Sequence, residues 1–308
     1  GEALKRLALE QEPRRTLSFY RYVAIENPEK FRDQLFKEWS KLKILGRIYV
    51  AQEGINAQLN VPESNVEKFI AYLNSRAELK EMPLKFGVEE GELSFWKLTI
   101  KVKEQIVADD LPHGTYDTSD VGNHLSPEEF NRALESEETV VIDIRNHYES
   151  SIGRFEKAIC PDADTFREEL AMLEKMLADK KEKKVLLYCT GGIRCEKASS
   201  YLKHLGFKDV NQLYGGIINY AHEIKQKGLQ SKFKGKNFVF DDRLHEKITD
   251  DVLTVCDQCD AKSDEYANCA NEICNLLFIQ CAGCKEKMRG CCTESCMKIS
   301  TLPEKERA

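Results

Sequence analysis

Within the first hundred residues, apolar and polar positions group into alternating strand-like and helix-like stretches. Residues 18–25 are enriched in aromatic and β-branched side chains and predict a strand. Asn27 before Pro28 suits a cap followed by the first helical position, so residues 29–39 predict a helix. Strands are predicted over 42–51, over 55–59 after the Glu53-Gly54 turn, and over 93–102, with a second helix over 64–76. A stretch rich in Asp, Pro and Gly around 109–122 then leads to Ser126, Pro127 and Glu129, a capping-box start. Beyond it short apolar strands alternate with helices. The strands are 139–143, 184–189 and 210–213, and the helices are 165–177, 195–205 and the stretch after Gly215-Gly216 through Lys225. From about Lys232 onward only 238–240 and 276–279 offer apolar runs.

These patterns predict three units. Residues 1–110 have the order βαββαβ, ferredoxin-like in outline. Residues 111–230 alternate strand and helix, which predicts a parallel sheet covered on both sides, with ligands outside the C-terminal strand ends where Asp143 and Cys189 fall. Residues 231–308 have too little apolar material to fold well alone and predict cross-links.

Composition narrows the function class. The 308 residues are 42% hydrophobic and 32% charged, with no run of about 18 apolar residues and no apolar leader at the start. A soluble cytoplasmic protein with no membrane association is expected. The formal charge is -6 and no region is strongly basic, which argues against a nonspecific DNA coat but leaves room for a local basic groove. Lys97, Lys101 and Lys103 share one face of the strand predicted at 93–102. They form either a solvated surface or a platform for an RNA backbone.

Twelve cysteines stand out, three central and nine between Cys256 and Cys296. With no leader, metal ligation and thiol chemistry are expected rather than disulfides. Cys189 follows a buried strand and opens the loop Cys189-Thr190-Gly191-Gly192-Ile193-Arg194-Cys195 before a helix. Backbone N–H groups, the oncoming helix terminus and Arg194 would there stabilise a thiolate, a persulfide or a bound anion. Four residues separate Cys189 from Arg194, one fewer than in cysteine phosphatases, and the smaller ring resembles a rhodanese loop. Asp143 and Arg145 resemble that family's Asp-x-Arg segment and are expected to be scaffold near the site. Tyr148-Glu149 resembles its acidic position, and Leu213–Ile217 its late Gly-Gly turn. Residues 151–155 depart from the usual Gly-His-Ile segment, so sulfur transfer from thiosulfate does not follow. Cys195 reads either as a resolving thiol or as a buried small hydrophobe, and Cys160 as packing.

The tail spaces its cysteines as Cys256-x2-Cys259, Cys269-x4-Cys274, Cys281-x2-Cys284, then Cys291, Cys292 and Cys296. Two short-spaced pairs separated by a loop are a zinc signature. The simplest assignment is two structural zinc sites. One takes Cys256, Cys259, Cys281 and Cys284; the other takes Cys269, Cys274 and Cys296 with either Cys291 or Cys292. No organic cofactor motif is visible.

The combination closely resembles the tRNA uridine-34 hydroxylase family of rhodanese-domain proteins over about residues 16–298. The segments carrying it include Ala51–Asn56, Phe95–Leu98 with Ile106-Val107, Leu125–Phe130, Val141–Asn146, Tyr188–Lys197, and Cys291-Cys292 with Cys296. The resemblance implies oxygen-dependent hydroxylation of C5 of the wobble uridine, with the tRNA anticodon arm as partner and molecular oxygen as cosubstrate. It also implies that the family's essential cysteine is Cys189 and its second loop cysteine Cys195. A sulfurtransferase carrying a persulfide on Cys189 is the alternative that the residues alone favour.

Overall fold

The computed structural model describes residues 12–89, 93–112 and 114–303. The outer ends of the expected first and last units, residues 1–11 and 304–308, lie outside them. Strand β1 (Arg14–Tyr22) leads through helix α1 (Pro28–Lys41) to β2 (Leu45–Ala51) and β3 (Gly54–Pro62). Helix α2 (Val66–Asn74), the two-residue β4 (Lys85–Phe86) and β5 (Leu98–Val102) follow. Asn27 caps α1 by accepting from the Lys30 N–H, as its position before Pro28 predicts. The sheet order is β4-β1-β3-β2-β5. All neighbours are antiparallel except β2 and β5, which are parallel.

The predicted last strand is therefore corrected. The strand beside β1 is Lys85–Phe86, too short to show an alternation, and the apolar run 98–102 joins the opposite edge. Residues 93–97 lie outside the strand because Ser94 is held on the polar face, with its Oγ 2.7 Å from Thr16 Oγ1 and 3.0 Å from Asn60 Nδ2. Leu17, Phe19, Ile48, Val50, Ile55 and Ala57 pack under α1 and α2. By the two-residue period, Ser18, Tyr20, Tyr22, Tyr49, Asn56 and Gln58 are left on the other face. That face meets the middle unit, where the Tyr20 hydroxyl donates to Glu196 (2.8 Å) and the Tyr22 hydroxyl to the Ile193 carbonyl (3.3 Å).

The middle of the chain runs β6 (Asn123–Leu125), α3 (Pro127–Leu134), β7 (Thr139–Asp143), α4 (His147–Ile152), β8 (Gly153–Phe155), α5 (Phe166–Met176), β9 (Lys184–Tyr188), α6 (Ile193–His204), β10 (Asp209–Leu213) and α7 (Gly216–Lys227). Strands β6, β10, β9 and β7 form, in that order, a parallel sheet. Val140, Ile142, Val185 and Leu187 face α5 and α6. The alternate residues Val141, Leu186 and Tyr188 face α3 and α7. The Ser126 capping box forms as its sequence predicts. Helix α6 starts at Ile193 rather than 195, which puts Arg194 and Cys195 in its first turn.

The tail adds β11 (Phe233–Phe238), β12 (His245–Lys247), the hairpin β13 (Tyr266–Asn268) with β14 (Leu277–Ile279), α8 (Ala282–Lys287) and α9 (Glu294–Ser300). Strand β11 pairs with β12 and also with β8 of the middle unit. The atypical segment 151–155 thus becomes the end of α4 and the partner strand of the tail. Gly153 is needed there, since a Cβ would stand 2.0 Å from the Lys236 carbonyl oxygen. Among the described residues no helix is long and apolar enough to cross a membrane.

Candidate active site

Strand β9 ends at Tyr188, so Cys189 leaves the sheet at its C-terminal edge and the chain turns through Gly191 and Gly192 into α6. Gly192 has φ +99°, a left-handed conformation that a side chain would strain. Its N–H donates to Cys189 Sγ at 3.1 Å. The first turn of α7 holds the loop from behind, with the N–H groups of Ile217 and Ile218 donating to the carbonyls of Cys189 (3.0 Å) and Thr190 (3.2 Å). Gly216 permits this approach, because a Cβ there would come within 2.6 Å of both carbonyl oxygens.

Cys189 is fully buried. Burial by itself pushes its thiol up. The Cys195 thiol, the Arg194 guanidinium and the N–H groups of Cys195 and Arg194 outweigh burial and bring it down to about 6. Cys195, equally buried, moves the other way, first by burial and then by facing the Cys189 thiolate. The loop thus holds one thiolate and one thiol at neutral pH. Arg194 is clamped by Glu149 of α4, Nη1 to Oε2 at 2.6 Å and Nη2 to Oε1 at 2.8 Å, and the Thr190 hydroxyl donates to Glu149 at 3.2 Å. Asp143 and Arg145 form a second, fully buried pair, with Nε to Oδ1 at 2.8 Å and Nη2 to Oδ2 at 2.6 Å. The pair is extended by the Tyr188 hydroxyl on Asp143 (2.7 Å) and by Arg145 on the Gly153 carbonyl (2.6 Å).

In front of the loop lies a cavity of about 420 Å³ with walls from all three parts of the chain. Tyr20, Tyr49 and Lys85 come from the first sheet, Phe166, Cys189 and Arg194 from the middle, and Phe240 from the tail. Phe240 stacks over Arg194, its ring centre 5.8 Å from the guanidinium carbon. This size suits one small planar ligand or a single nucleoside rather than a duplex. Of the residues singled out from sequence, Cys189, Thr190, Gly191, Ile193 and Arg194 line the cavity, while Gly192, Cys195, Asp143 and Arg145 do not. Glu149 was legible in Tyr148-Glu149. Tyr20, Lys85 and Phe240 were not, because each reaches the site from an element distant in sequence and none belongs to a local motif.

Lys97, Lys101 and Lys103 are exposed, and none makes an ion pair among the described residues. Thr99 pairs with Arg47 and Lys101 with Tyr49 across the parallel edge. Of the three lysines expected on one strand, only Lys101 lies within β5, beside the polar face that lines the cavity, while Lys97 and Lys103 stand just before and just after the strand.

In the tail, the sulfurs of Cys256, Cys259, Cys281 and Cys284 all lie within 4.8 Å of one another, and those of Cys269, Cys274, Cys292 and Cys296 do likewise. The contacts Cys259–Cys281 (3.6 Å), Cys274–Cys292 (3.7 Å) and Cys292–Cys296 (3.7 Å) are far longer than a disulfide of about 2.05 Å. Four thiolates around one tetrahedral ion at about 2.3 Å would stand about 3.8 Å apart, so both groups fit a metal. The choice left open between Cys291 and Cys292 falls on Cys292. Cys291 is buried outside both groups, with its thiol toward Ser300 Oγ at 3.5 Å, and is corrected from the candidate ligands.

Three family models match the chain. The "UPF0176 acylphosphatase like domain" covers residues 14–106, the "Rhodanese-like domain" 126–223 and the "Rhodanase C-terminal" 234–297. The chain thus carries an acylphosphatase-like first domain and a rhodanese domain built on a parallel sheet. A protein of Leptospira interrogans named tRNA uridine(34) hydroxylase is 56% identical over 100% of this chain and 84% of its own length. One of the same name from an Enterobacter species is 48% identical over 100% of this chain and 88% of its own.

Proposed function

The chain belongs to the tRNA uridine(34) hydroxylase family, and from that premise we propose how its residues serve the reaction. It is an oxygen-dependent tRNA-modifying enzyme that converts the wobble uridine to 5-hydroxyuridine. The observation that carries the mechanism is the buried Cys189, held as a thiolate by its loop at one end of a nucleoside-sized cavity.

Cys189 is the reactive group and Arg194 its electrostatic partner. Glu149 fixes the guanidinium, and the Thr190–Ile193 backbone supplies the donors. Uracil C5 is only modestly electron-rich. Addition of the thiolate at C6 raises its reactivity; delivery of oxygen from an oxygenated Cys189 is the other route. Cys195, kept as a thiol beside it, resolves an oxidised Cys189 as a disulfide. Asp143 and Arg145 act as scaffold. Mass spectrometry of the protein trapped with substrate RNA separates the two routes: a nucleoside adduct supports the first, an oxidised Cys189 without adduct the second, and neither species counts against both.

We read the chain as three units, 1–110, 111–230 and 231–308, the first ferredoxin-like with β5 added at its edge. That first unit grips the anticodon arm, whose unpaired nucleotide 34 is cheap to present to a cavity. Lys97, Lys101 and Lys103 contact its backbone. Changing all three to Ala should weaken tRNA binding and lower its salt slope by about three; unchanged binding leaves them as surface. Zinc in both four-cysteine groups would supply structural cross-linking for the tail. A tRNA substrate and twelve unpaired cysteines favour the cytosol.

The deciding experiment is nucleoside mass spectrometry of tRNA from cells lacking the gene, complemented with wild type or Cys189→Ala. Restoration of 5-hydroxyuridine derivatives by wild type alone supports the thiol's role. Modification that is unchanged without the gene would redirect attention to a persulfide on Cys189.

A further inference from the structure

Most cations around the cavity are already neutralised. Arg194 is held by Glu149, Arg167 by Asp110 (2.9 Å), and Arg243 by Asp241 (2.7 Å) and Glu246 (2.6 Å). Lys85 is different. It lies on the two-residue edge strand β4, in register with Ser18, and its Nζ stands 4.5 Å over the centre of the Tyr20 ring. Among the described residues it has no carboxylate partner.

The acid closest in role, Glu196, is occupied. Its Oε1 accepts from the Tyr20 hydroxyl at 2.8 Å and stands 3.0 Å from His124 Nε2. Burial pushes the Lys85 ammonium down, the negative charges of Cys189 and Glu196 pull it partway back, and it comes to rest at about 8. A partly buried cation without its own counter-ion is costly, and the cost is offset when an anion arrives with the ligand. The ring of Tyr20 fixes the ammonium in the meantime.

We propose that Lys85 is a catalytic residue contributed by the first domain, which binds an anionic oxygen of the tRNA nucleotide held in front of Cys189. The inference rests on the hydroxylase reading and adds a substrate contact to it. Two oxygens have the right chemistry. One is a backbone phosphate flanking the target. The other is uracil O4 during thiolate addition: the new bond joins sulfur to C6, the C5=C6 pair moves toward C4, and the carbonyl pair settles on O4, where Lys85 donates a hydrogen bond.

The test uses the full chain as Lys85→Met, which removes the charge at nearly constant length, and as Lys85→Arg, which keeps it. Each is scored by 5-hydroxyuridine content in complemented cells and by binding of the purified protein to anticodon stem-loop RNA across salt. Lys85→Met is expected to lose at least tenfold in modification, and Lys85→Arg to retain most of it. Weaker binding with a salt slope lower by about one assigns the phosphate. Unchanged binding with lost turnover assigns O4. Wild-type modification and binding in Lys85→Met would overturn the proposal, as would equal losses in both variants, which would make Lys85 merely structural. Failure of the wild-type chain to restore the modification would overturn the hydroxylase reading and this inference with it.

Discussion

A thiol buried without donors would be protonated and inert, yet Cys189 is fully buried and lowered to about 6. The difference lies in what the loop aims at the sulfur, namely the Cys195 thiol, the Arg194 charge and backbone N–H groups. Alkylation of Cys189 by iodoacetamide should therefore follow a midpoint near pH 6, against about 8.5 for a free thiol. Arg194→Met should move that midpoint upward, and an unchanged midpoint would remove the arginine from the account. The depressed thiol contributes stability that is complete above about pH 8.5 and is lost as pH falls through about 6. Glu149→Gln keeps the shape of the clamp but breaks its charge pairing with Arg194. Freed of that partner, the guanidinium should support the thiolate less reproducibly, and modification in complemented cells should fall at least tenfold. Full activity would show that Arg194 needs no orienting group.

Elements fix where these residues stand. Helix α6 delivers Arg194 and Cys195 to the loop from its first turn and, one turn later, sends Lys197 toward the first domain. Lys197 is 1% exposed, yet its Nζ lies 3.1 Å from Glu53 and 3.1 Å from Asp109 and donates to the Val107 carbonyl at 2.8 Å. Removing one partner of such a buried network leaves the carboxylates uncompensated. Lys197→Met should cost about 3–5 kcal/mol, read by denaturant unfolding. A loss below 1 kcal/mol would mean that water replaces the ammonium. Strands β8 and β11 seat the tail on the middle unit in a comparable way, with Phe155 and Phe233 rings 5.3 Å apart in a shared core.

At the scale of the whole molecule the cavity belongs to no single domain. The first sheet supplies Tyr20 and Lys85, the parallel sheet supplies the thiol loop, and the tail supplies Phe240 over Arg194. Folding of the tail is thereby linked to the site, and its eight grouped cysteines tie the one to the other. Elemental analysis should find about two zinc ions per chain. Chelation should melt the tail and lower RNA modification together. Cys291→Ser should leave the metal content unchanged, while Cys292→Ser should lose about one ion per chain. Loss of an ion in Cys291→Ser but not in Cys292→Ser would reverse the assignment between these neighbours.

What the sequence determined by itself was whatever is written in contiguous residues. The Ser126 capping box, the alternation of apolar strands with helices in the middle unit, the thiol loop with its four-residue spacing and the short cysteine pairs all depend on neighbours within a few positions, where backbone geometry alone relates the side chains. Tertiary structure decided the rest. Lys85–Phe86 became the strand beside β1 because an edge position was open there, although two residues carry no period. The run 98–102 crossed to β2, whose register its apolar face completes. Residues 153–155 became a strand because the distant β11 supplied its hydrogen-bond partners. Cys292 rather than its neighbour joined the second sulfur group because adjacent side chains diverge, and only the folded backbone decides which of them points inward. The lone cation over Tyr20 emerged in the same way, from two strands brought together against a third segment far along the chain.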